Sequence, residues 1–291
     1  MLEKRLFVLL GMPRAGTTFL YHNLQKHPRI FVPFRRKTNY YAVHYQKDRD
    51  WYRSHFEGAK DDQVILETDT LSFINTSSYE RFKASATEER IILVLRDPAT
   101  WALSLYRQIA SFTFKMPSFK EYVAEGYTLV EDATDIPFHF KPGDLQRKVE
   151  DIRATFGEKL MIINFDLIKR DPLKFLGAFE SFMEIEPHFS EDNFTNERIN
   201  SGNKKSNKWV NSLLRKQWLI GLLRAFIPQR LVVWIRNRFD KASVNKKEVG
   251  DVSWNEEDLA FAQDYYAQDA AYIQSLFAEK DVLVAHKVLE E

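Results

Sequence analysis

The segment GMPRAGTTFLYHNL, residues 11–24, decides the fold of this sequence. Gly11 and Gly16 have the spacing of a phosphate-binding loop of the form G-x-x-x-x-G-K-[ST], but Thr17 stands where that form has lysine. A glycine turn that leads from a buried strand into a helix directs backbone N–H groups and the positive helix end toward an anion. We therefore predict an anion-binding loop that differs from an ATP site. The alternative is a plain strand-to-helix turn in which Thr17 or Thr18 caps the helix.

Apolar runs without polar alternation predict the central strands of a parallel sheet. They span residues 5–11, 63–69, 90–97 and 159–166. Residues 141–156, 172–183 and 254–277 have helical spacing instead. We predict an α/β fold, with a P-loop-like central parallel sheet flanked by helices and a helical C-terminal segment. We expect Ser253 or Asn255 to cap the last helix.

The composition narrows the classes of function. The 291 residues are 44% hydrophobic and 29% charged, which is enough for a sizeable core. The absence of cysteine excludes disulfides and thiolate metal sites, and the seven histidines show no ligand spacing, so we predict no metal. An N-terminal apolar run of about six residues is too short for a secretory signal or a membrane span, which predicts a cytoplasmic protein.

Three of the predicted strands end in a glycine-rich or charged turn. These turns are residues 11–18, 67–70 and 96–104. Because ligands of open α/β sheets collect at the carboxyl ends of the strands, we expect the turns to meet at one crevice. Arg96 at the end of the third of these strands, and Ser104 on the helix predicted to begin at Pro98, are expected to form a second anion site there. The alternative for Arg96 is an ion pair with Asp97 or a helix cap.

Two motifs together resemble the nucleotide-binding elements of the sulfotransferases that use PAPS, 3′-phosphoadenosine 5′-phosphosulfate. They are PRAGTT at 13–18 and LRDPATWALSLY at 95–106. The likeness continues in the family's order over most of the chain, with HPRIFVP at 27–33, DWYRSHF at 50–56 and FGEKLMIINFDLIKRDP at 156–172. The chain most resembles carbohydrate or heparan-sulfate-like sulfotransferases of bacterial type. This implies a single sulfotransferase domain over 1–291, with a nucleotide-binding core at 1–200 and a mobile loop and helical part at 201–291.

The resemblance implies which residues hold PAPS. The first loop would cradle the 5′-phosphosulfate with Pro13, Arg14, Ala15, Gly16, Thr17 and Thr18. Arg96 and Ser104 would bind the 3′-phosphate. Lys204 and Lys205 lie where the family has its mobile loop and would contact the 3′-phosphate or adenine, with a solvated charge run as the alternative. PAPS is then the donor without a metal, because cations and N–H donors can neutralise the sulfuryl group.

The general base departs from the family pattern. Carbohydrate sulfotransferases carry a Lys–Glu pair and then paired aromatic residues after HPxIFxP, and the glutamate is their base. Aligning the aromatic residues on Tyr40 and Tyr41 places Arg36 at the lysine and Lys37 at the glutamate. A protonated lysine cannot abstract a proton. Either burial beside arginine lowers the pKa of Lys37, or another residue is the base, or the protein is a weak or inactive relative.

Glu67 and Asp69 are the next candidates for the catalytic base, with Arg14 as the group that neutralises charge on the transferred sulfuryl group. Glu67 and Asp69 lie in the turn ETDT, which ends the second long strand at the predicted crevice. The alternative is a structural role, in which the two carboxylates orient the loop or pair with an arginine.

Aromatic residues mixed with cations follow the first helix. For the acceptor we predict contacts from Arg36, Tyr40, Tyr41 and His44. Aromatic faces beside cations suit an anionic sugar chain. Packing in the protein interior is the alternative for the aromatic rings, and a structural role is the alternative for the histidine.

The net charge of +1 hides a basic segment. Residues 204–247 hold twelve Lys or Arg against one Asp, a local charge of +11. Within it, residues 211–239 repeat apolar residues at helical spacing with arginines between them, a pattern broken at Pro228. This pattern favours packing on the core, and the alternatives are contact with a membrane surface, a dimer face or a cover for the acceptor groove. The chain lacks a recognised nucleic-acid-binding module, so we predict no nucleic-acid partner.

Together these observations predict an enzyme that transfers the sulfuryl group of PAPS to a hydroxyl or amine of a carbohydrate or glycolipid-like acceptor. Its partner is then an anionic or neutral glycan or glycolipid, a homo-oligomer is a further expectation, and its place is the cytoplasm with peripheral contact to a membrane. Two alternatives stay open. One is a nucleotide- or polyanion-binding relative with impaired catalysis, and the other is an ATP-dependent P-loop phosphotransferase, against which the missing lysine argues.

Overall fold

A six-stranded sheet lies at the centre of the fold. The computed structural model describes residues 5–33, 37–86, 88–110, 116–131, 134–138, 140–194 and 255–284. In chain order the strands are β1 (Leu6–Gly11), β2 (Ile30–Phe31), β3 (Val64–Thr68), β4 (Arg90–Leu95), β5 (Tyr127–Glu131), β6 (Thr134–Phe138), β7 (Leu160–Asn164) and β8 (Val282–Val284). The order across the large sheet is β2-β3-β1-β4-β7-β8, and β5 pairs with β6 in a separate antiparallel hairpin.

The long strands are buried on both faces. Successive side chains of a strand point to opposite faces of the sheet, and Val8, Leu9 and Leu10 are each at most 1% exposed. Strands β1, β3, β4 and β7 pair in parallel, as does β2 with β3. This burial explains why their sequences are apolar without alternation. The predicted α/β fold and its four central parallel strands are confirmed.

Helices cover the sheet and join its strands. They are α1 (Thr17–Leu24), α2 (Arg49–Ser54), α3 (Thr70–Ile74), α4 (Thr76–Ser85), α5 (Pro98–Ala110), α6 (Phe119–Glu125), α7 (Asp144–Phe156), α8 (Leu167–Arg170), α9 (Pro172–Met183), α10 (Glu256–Tyr265) and α11 (Ala267–Leu276). A 3₁₀ turn, Gly157–Lys159, links α7 to β7. None of the helices in the described ranges has the length and apolar character needed to cross a membrane.

The path of the chain fixes where a ligand can bind. From β1 the chain runs to β2 and β3 on one side, and it then crosses to β4 and β7 on the other side. The direction of winding therefore reverses between β1 and β4. In an open α/β sheet the crevice forms at such a reversal, beyond the carboxyl ends of the strands.

The structure contains several elements that the sequence analysis did not predict. β8 pairs with β7 in antiparallel orientation, and the β5–β6 hairpin is a second departure from the expected strands. The helix predicted over 254–277 is two helices, α10 and α11, which meet at Tyr266. Of the two residues expected to cap this helix, Asn255 is the one that caps α10, in a capping box with Asp258. The predicted division of the domain at residue 200 stays a prediction.

Asp269 of α11 joins the C-terminal helices to α7. Its carboxylate is completely buried and accepts hydrogen bonds from the backbone N–H groups of Gly143 and Gln146, both at 2.9 Å. Gly143 stands at the N-cap of α7 and has no side chain to cap the helix itself. Asp269 therefore supplies from another helix the acceptor that the first turn of α7 requires.

We predict that Asp269→Ala lowers the free energy of unfolding by about 2–5 kcal/mol, because two buried N–H groups lose their acceptor. Urea denaturation of the full chain measures the change. Asp264→Ala is the matched control, since Asp264 is an exposed carboxylate on α10 and its removal should change the stability by no more than about 0.5 kcal/mol. Equal effects of the two substitutions would contradict the role assigned to Asp269.

Candidate functional site

The loop between β1 and α1 needs glycine at both of its ends. A Cβ atom on Gly11 would lie 2.6 Å from Leu93 Cδ1 and 2.8 Å from the ring of Phe73. Gly16 is the N-cap of α1 with φ of 76°, in the left-handed region that glycine adopts without strain. A Cβ there would also overlap the side chain of Ile168. The two glycines let the loop pass close to its neighbours and turn into the helix.

Hydrogen bonds from β4 and α5 hold this loop in place. The N–H of Met12 donates to the Val94 carbonyl at 2.8 Å, and Nε1 of Trp101 donates to the Pro13 carbonyl at 2.8 Å. Within the loop, the N–H of Ala15 donates to the Met12 carbonyl at 3.1 Å. The loop is therefore fixed to the two elements that carry the second predicted anion site.

Arg14, Arg96 and Ser104 come together at the tips of β1 and β4. Nε of Arg14 donates to Oγ of Ser104 at 3.2 Å. Nη1 of Arg96 donates to the Arg14 carbonyl at 3.0 Å, and its Nε donates to Oγ1 of Thr100 at 3.4 Å. The structure thus joins the two anion sites that the sequence predicted separately into one cluster.

The two guanidinium groups of this cluster are partly withdrawn from water. Burial lowers the pKa of Arg14, and burial together with the charge of Arg14 lowers the pKa of Arg96. Both side chains stay protonated at neutral pH, because the ordinary pKa of an arginine lies far above 7. Two neighbouring cations of this kind repel each other, and an anion bound between them would offset the repulsion.

Phe165 lies against the Arg96 guanidinium, and Asp97 caps the helix that follows Arg96. The Arg96 guanidinium carbon lies 4.8 Å from the ring centroid of Phe165, at the end of β7. Asp97 uses its carboxylate to accept the N–H of Thr100 at 2.8 Å in the first turn of α5. Arg96 is therefore directed to the loop, while Asp97 takes the capping role.

Lys37 lies at the tip of β3, next to the loop strand. It is half-buried, and its Nζ donates to Oγ1 of Thr70 at 2.7 Å. Asp69 precedes Thr70 and is the N-cap of α3, with the Ser72 hydroxyl donating to its carboxylate at 2.7 Å. Burial raises the pKa of Asp69, although the hydrogen bonds from Ser72 and the charge of Lys37 act against this rise.

Glu67 is buried beneath the segment that carries Lys37. Its carboxylate is 1% exposed and accepts the hydroxyls of Thr38 and Tyr52 and, at 3.3 Å, the N–H of Thr38. Burial and the nearby charge of Asp69 raise the pKa of Glu67 to about 7, against the effect of its hydrogen bonds. Both carboxylates of the ETDT turn are thus turned inward and have protein donors.

The predicted acceptor residues Tyr40 and Tyr41 lie in the core. They are 3% and 1% exposed, and Tyr40 stacks on Tyr52 with 4.7 Å between the ring centroids. The Tyr41 hydroxyl accepts a hydrogen bond from Arg49 at 2.9 Å. His44 is half-buried, with its ring 5.1 Å from that of Trp51. The two tyrosines thus have packing contacts in the core, and the predicted contacts of Tyr40, Tyr41 and His44 with an acceptor stay predictions.

Several predicted residues lie outside the described ranges. They are Arg36, Lys204, Lys205, the loop at 199–208, the amphipathic segment 211–239 and the Ser253 cap. In the described ranges no group of three or more His, Asp or Glu residues could hold a metal ion.

Sequence reasoning did not single out Thr38, Tyr52 and Phe165 as parts of the site, whereas Thr70 lies in the turn at 67–70 that it placed at the crevice. Tyr52 lies in the segment DWYRSHF, and Phe165 lies near the end of the strand predicted over 159–166, so their positions gave a signal. For Thr38 and Thr70 the sequence offers no sign of the partners that they bond.

A family model described as the sulfotransferase domain matches residues 4–248. The chain belongs to the sulfotransferase family. Heparan sulfate glucosamine 3-O-sulfotransferase 3B1 of Homo sapiens is 23% identical over 190 residues, which are 64% of this chain and 48% of that protein. Membrane-associated sulfotransferase kil1 of Dictyostelium discoideum is 32% identical over 103 residues, 34% of this chain and 22% of that protein. The matched regions thus span less than half of the length of these two relatives.

A solved structure supports the fold of this sulfotransferase. The crystal structure of a sulfotransferase from Alicyclobacillus acidocaldarius superposes with a TM-score of 0.54 at 19% identity, covering 76% of this chain and 97% of the other. At this identity the likeness shows a common fold. The P-loop-like sheet expected from the sequence is therefore that of a sulfotransferase.

Glu67 should impose a pH dependence on the stability of this sulfotransferase. Its folded pKa of about 7 lies above the ordinary value of 4.5, so the folded chain binds this proton more tightly than the unfolded chain. The free energy of unfolding that Glu67 contributes is therefore complete below pH 4.5 and is lost as the pH rises through about 7. We predict that the stability of Glu67→Gln relative to the native chain rises by roughly 3 kcal/mol over this range.

Urea denaturation of both chains, at pH values from about 5 to about 8, tests this prediction. Glu57→Gln is the control, because Glu57 is exposed and lies in the same region of the chain. A stability difference between Glu67→Gln and the native chain that does not change with pH would show that Glu67 does not titrate in this range.

Proposed function

We propose that this sulfotransferase uses PAPS as its donor and transfers the sulfuryl group to a hydroxyl or amine of a carbohydrate or glycolipid-like acceptor. The observation that carries the proposal is the convergence of Arg14, Arg96 and Ser104 at neighbouring strand tips. Two guanidinium groups beside a glycine loop suit a nucleotide with two separated anionic groups. Similarity to a heparan sulfate glucosamine 3-O-sulfotransferase supports a carbohydrate acceptor.

In this proposal the residues at each strand tip bind a different part of the donor. Residues 13–18 take the 5′-phosphosulfate, with the N–H groups at the start of α1 directed toward it. Arg96 and Ser104 take the 3′-phosphate. Lys204 and Lys205 remain proposed contacts to the 3′-phosphate or adenine. The ring of Phe165 supports Arg96 from the side of β7.

The transfer is an in-line displacement at sulfur. The acceptor oxygen or nitrogen forms a bond to sulfur while the bond from sulfur to the 5′-phosphate oxygen breaks, and adenosine 3′,5′-bisphosphate leaves. Arg14 and the loop N–H groups neutralise the charge on the sulfuryl oxygens and the leaving phosphate. The proton of the acceptor passes to a base within about 3 Å.

The position of the two carboxylates favours a second candidate function. Glu67 and Asp69 are each 1% exposed, and both have hydrogen-bond donors in the protein. A carboxylate in this state is poorly placed to take a proton from an acceptor. A relative that binds the nucleotide and has impaired turnover is therefore the second candidate.

Calorimetry with adenosine 3′,5′-bisphosphate tests the donor. We predict binding of this nucleotide in preference to ATP with magnesium, and we predict that Arg96→Gln weakens it by about 10- to 100-fold through loss of a charge-assisted hydrogen bond. Arg90→Gln is the matched control, because Arg90 begins the same strand at its opposite end and pairs there with Glu184 at 2.9 Å. Tighter binding of ATP than of the bisphosphate would refute the donor assignment.

Transfer of radiolabelled sulfate from PAPS to a panel of glycans and glycolipids tests the activity. Labelled product from any of these acceptors is the result expected of the enzyme. Tight binding of the bisphosphate without labelled product from any acceptor would instead identify the protein as a nucleotide-binding relative.

A further inference from the structure

We infer that Trp101 is a positioning residue, which fixes the peptide group between Pro13 and Arg14 so that the Arg14 N–H faces the 5′-phosphosulfate of the donor. The inference rests on the proposed function and deepens it, because it concerns the loop that would hold this part of the donor. The indole acts through the loop backbone and does not itself touch the donor.

Residues 12–15 of the loop form a tight turn. The N–H of Ala15 donates to the Met12 carbonyl at 3.1 Å, which is the hydrogen bond between the first and fourth residues of a β-turn. Pro13, the second residue, has a negative φ because its ring fixes this angle. Arg14, the third residue, has φ of 68°. This combination defines a type II turn, whose third position normally holds glycine or asparagine.

Arginine is a strained residue at the third position of this turn. The left-handed region is unfavourable for a residue that carries a Cβ atom. Rotation of the peptide group between Pro13 and Arg14 would relieve the strain by forming a type I turn, in which both residues have negative φ. The same rotation would reverse the directions of the Pro13 carbonyl and the Arg14 N–H, which belong to one peptide group. The observed orientation therefore needs a partner that holds it.

Trp101 supplies this partner from α5. Its Nε1 donates to the Pro13 carbonyl at 2.8 Å. The indole is 3% exposed, and it packs edge-on against the ring of Phe140 with 5.3 Å between the ring centroids. Rotation of the peptide group would leave the buried indole N–H without this acceptor, which is unfavourable. The hydrogen bond thus opposes the change to a type I turn.

The orientation of this peptide group decides where the Arg14 N–H points. The bond between Pro13 and Arg14 is trans, and in a trans peptide the carbonyl and the N–H point in opposite directions. The Arg14 N–H is therefore directed away from the indole of Trp101. It has no acceptor among the residues that the structure describes. A backbone N–H in this state, in a loop that opens a helix, suits the oxygens of a bound phosphosulfate.

Calorimetry on the full chain measures this role with two nucleotides, adenosine 3′,5′-bisphosphate and adenosine 3′-monophosphate, which lacks the 5′ group. Trp101→Phe keeps an aromatic ring and removes the N–H donor. We expect it to weaken binding of the bisphosphate about 10-fold and to change that of the monophosphate by less than about 2-fold, because only the 5′ group meets the Arg14 N–H. Phe140→Leu is the matched control. It alters the packing of the indole but leaves the hydrogen bond, so both affinities should stay within about 2-fold of the native values.

Substitutions at Arg14 separate the turn from the packing of the indole. Glycine adopts φ of 68° without strain, so the turn of Arg14→Gly needs no partner to hold it. Arg14→Gly and Arg14→Ala both lose the guanidinium and should bind the bisphosphate more weakly than the native chain. Adding Trp101→Phe to Arg14→Gly should change the affinity by less than about 2-fold, whereas adding it to Arg14→Ala, which retains the strain, should weaken binding by a further factor of about 10.

Replacement of Trp101 by benzothienylalanine repeats the measurement with the shape of the ring retained, because sulfur then stands in place of the indole N–H. This variant decides the question where Trp101→Phe does not fold. An unchanged affinity for the bisphosphate, equal losses for the two nucleotides, or an undiminished effect of Trp101→Phe in the Arg14→Gly background would overturn the inference. Failure of the native chain to bind the bisphosphate would instead refute the proposed function.

Discussion

One hydrogen bond joins the two strand tips on which the site depends. Nη1 of Arg96 donates to the Arg14 carbonyl at 3.0 Å and so ties the end of β4 to the loop that follows β1. The bond from Arg14 to Ser104 closes the same cluster from α5. Both acceptors of these hydrogen bonds are neutral, and the nearby carboxylates of Asp97 and Asp166 offset part of the charge of Arg96. The cluster is therefore prepared for an anion, which is what a donor with two anionic groups supplies.

Burial of the Glu67 carboxylate costs free energy, and the buried carboxylate also holds neighbouring segments to the sheet. A carboxylate without water is unfavourable, which is why burial raises the pKa of Glu67 to about 7. In return, Glu67 binds Thr38 in the segment of Lys37 and Tyr52 in α2, and Tyr52 stacks on Tyr40. One side chain on β3 thus fixes the segment that carries Lys37 to the sheet. The same burial argues for an orienting role of Glu67, which was the alternative to its role as the base.

The sequence predicted those parts of the fold and site that depend on local patterns. The four central strands are visible as apolar runs because both of their faces are covered. Arg96 and Ser104 both bond Arg14, and Ser104 lies on the helix that Pro98 begins. β8 and the buried cap Asp269 were not predictable, since their partners are distant in sequence and leave no periodic signal. An aromatic pair such as Tyr40 and Tyr41 reads the same whether it binds a sugar or fills a core. In the structure both rings are buried.

The C-terminal elements bear on the nucleotide side of the site through β7. The N–H of Asn164, the last residue of β7, donates to the Asp281 carbonyl at 2.8 Å, and its side chain donates to the Asp281 carboxylate at 3.0 Å. Phe165, the next residue, supports Arg96. Without β8, strand β7 would become an edge strand with open backbone groups just where this aromatic ring must be held. The position of Arg96 therefore depends on Asp281 through β7 and Phe165 as well as on the loop that follows β1.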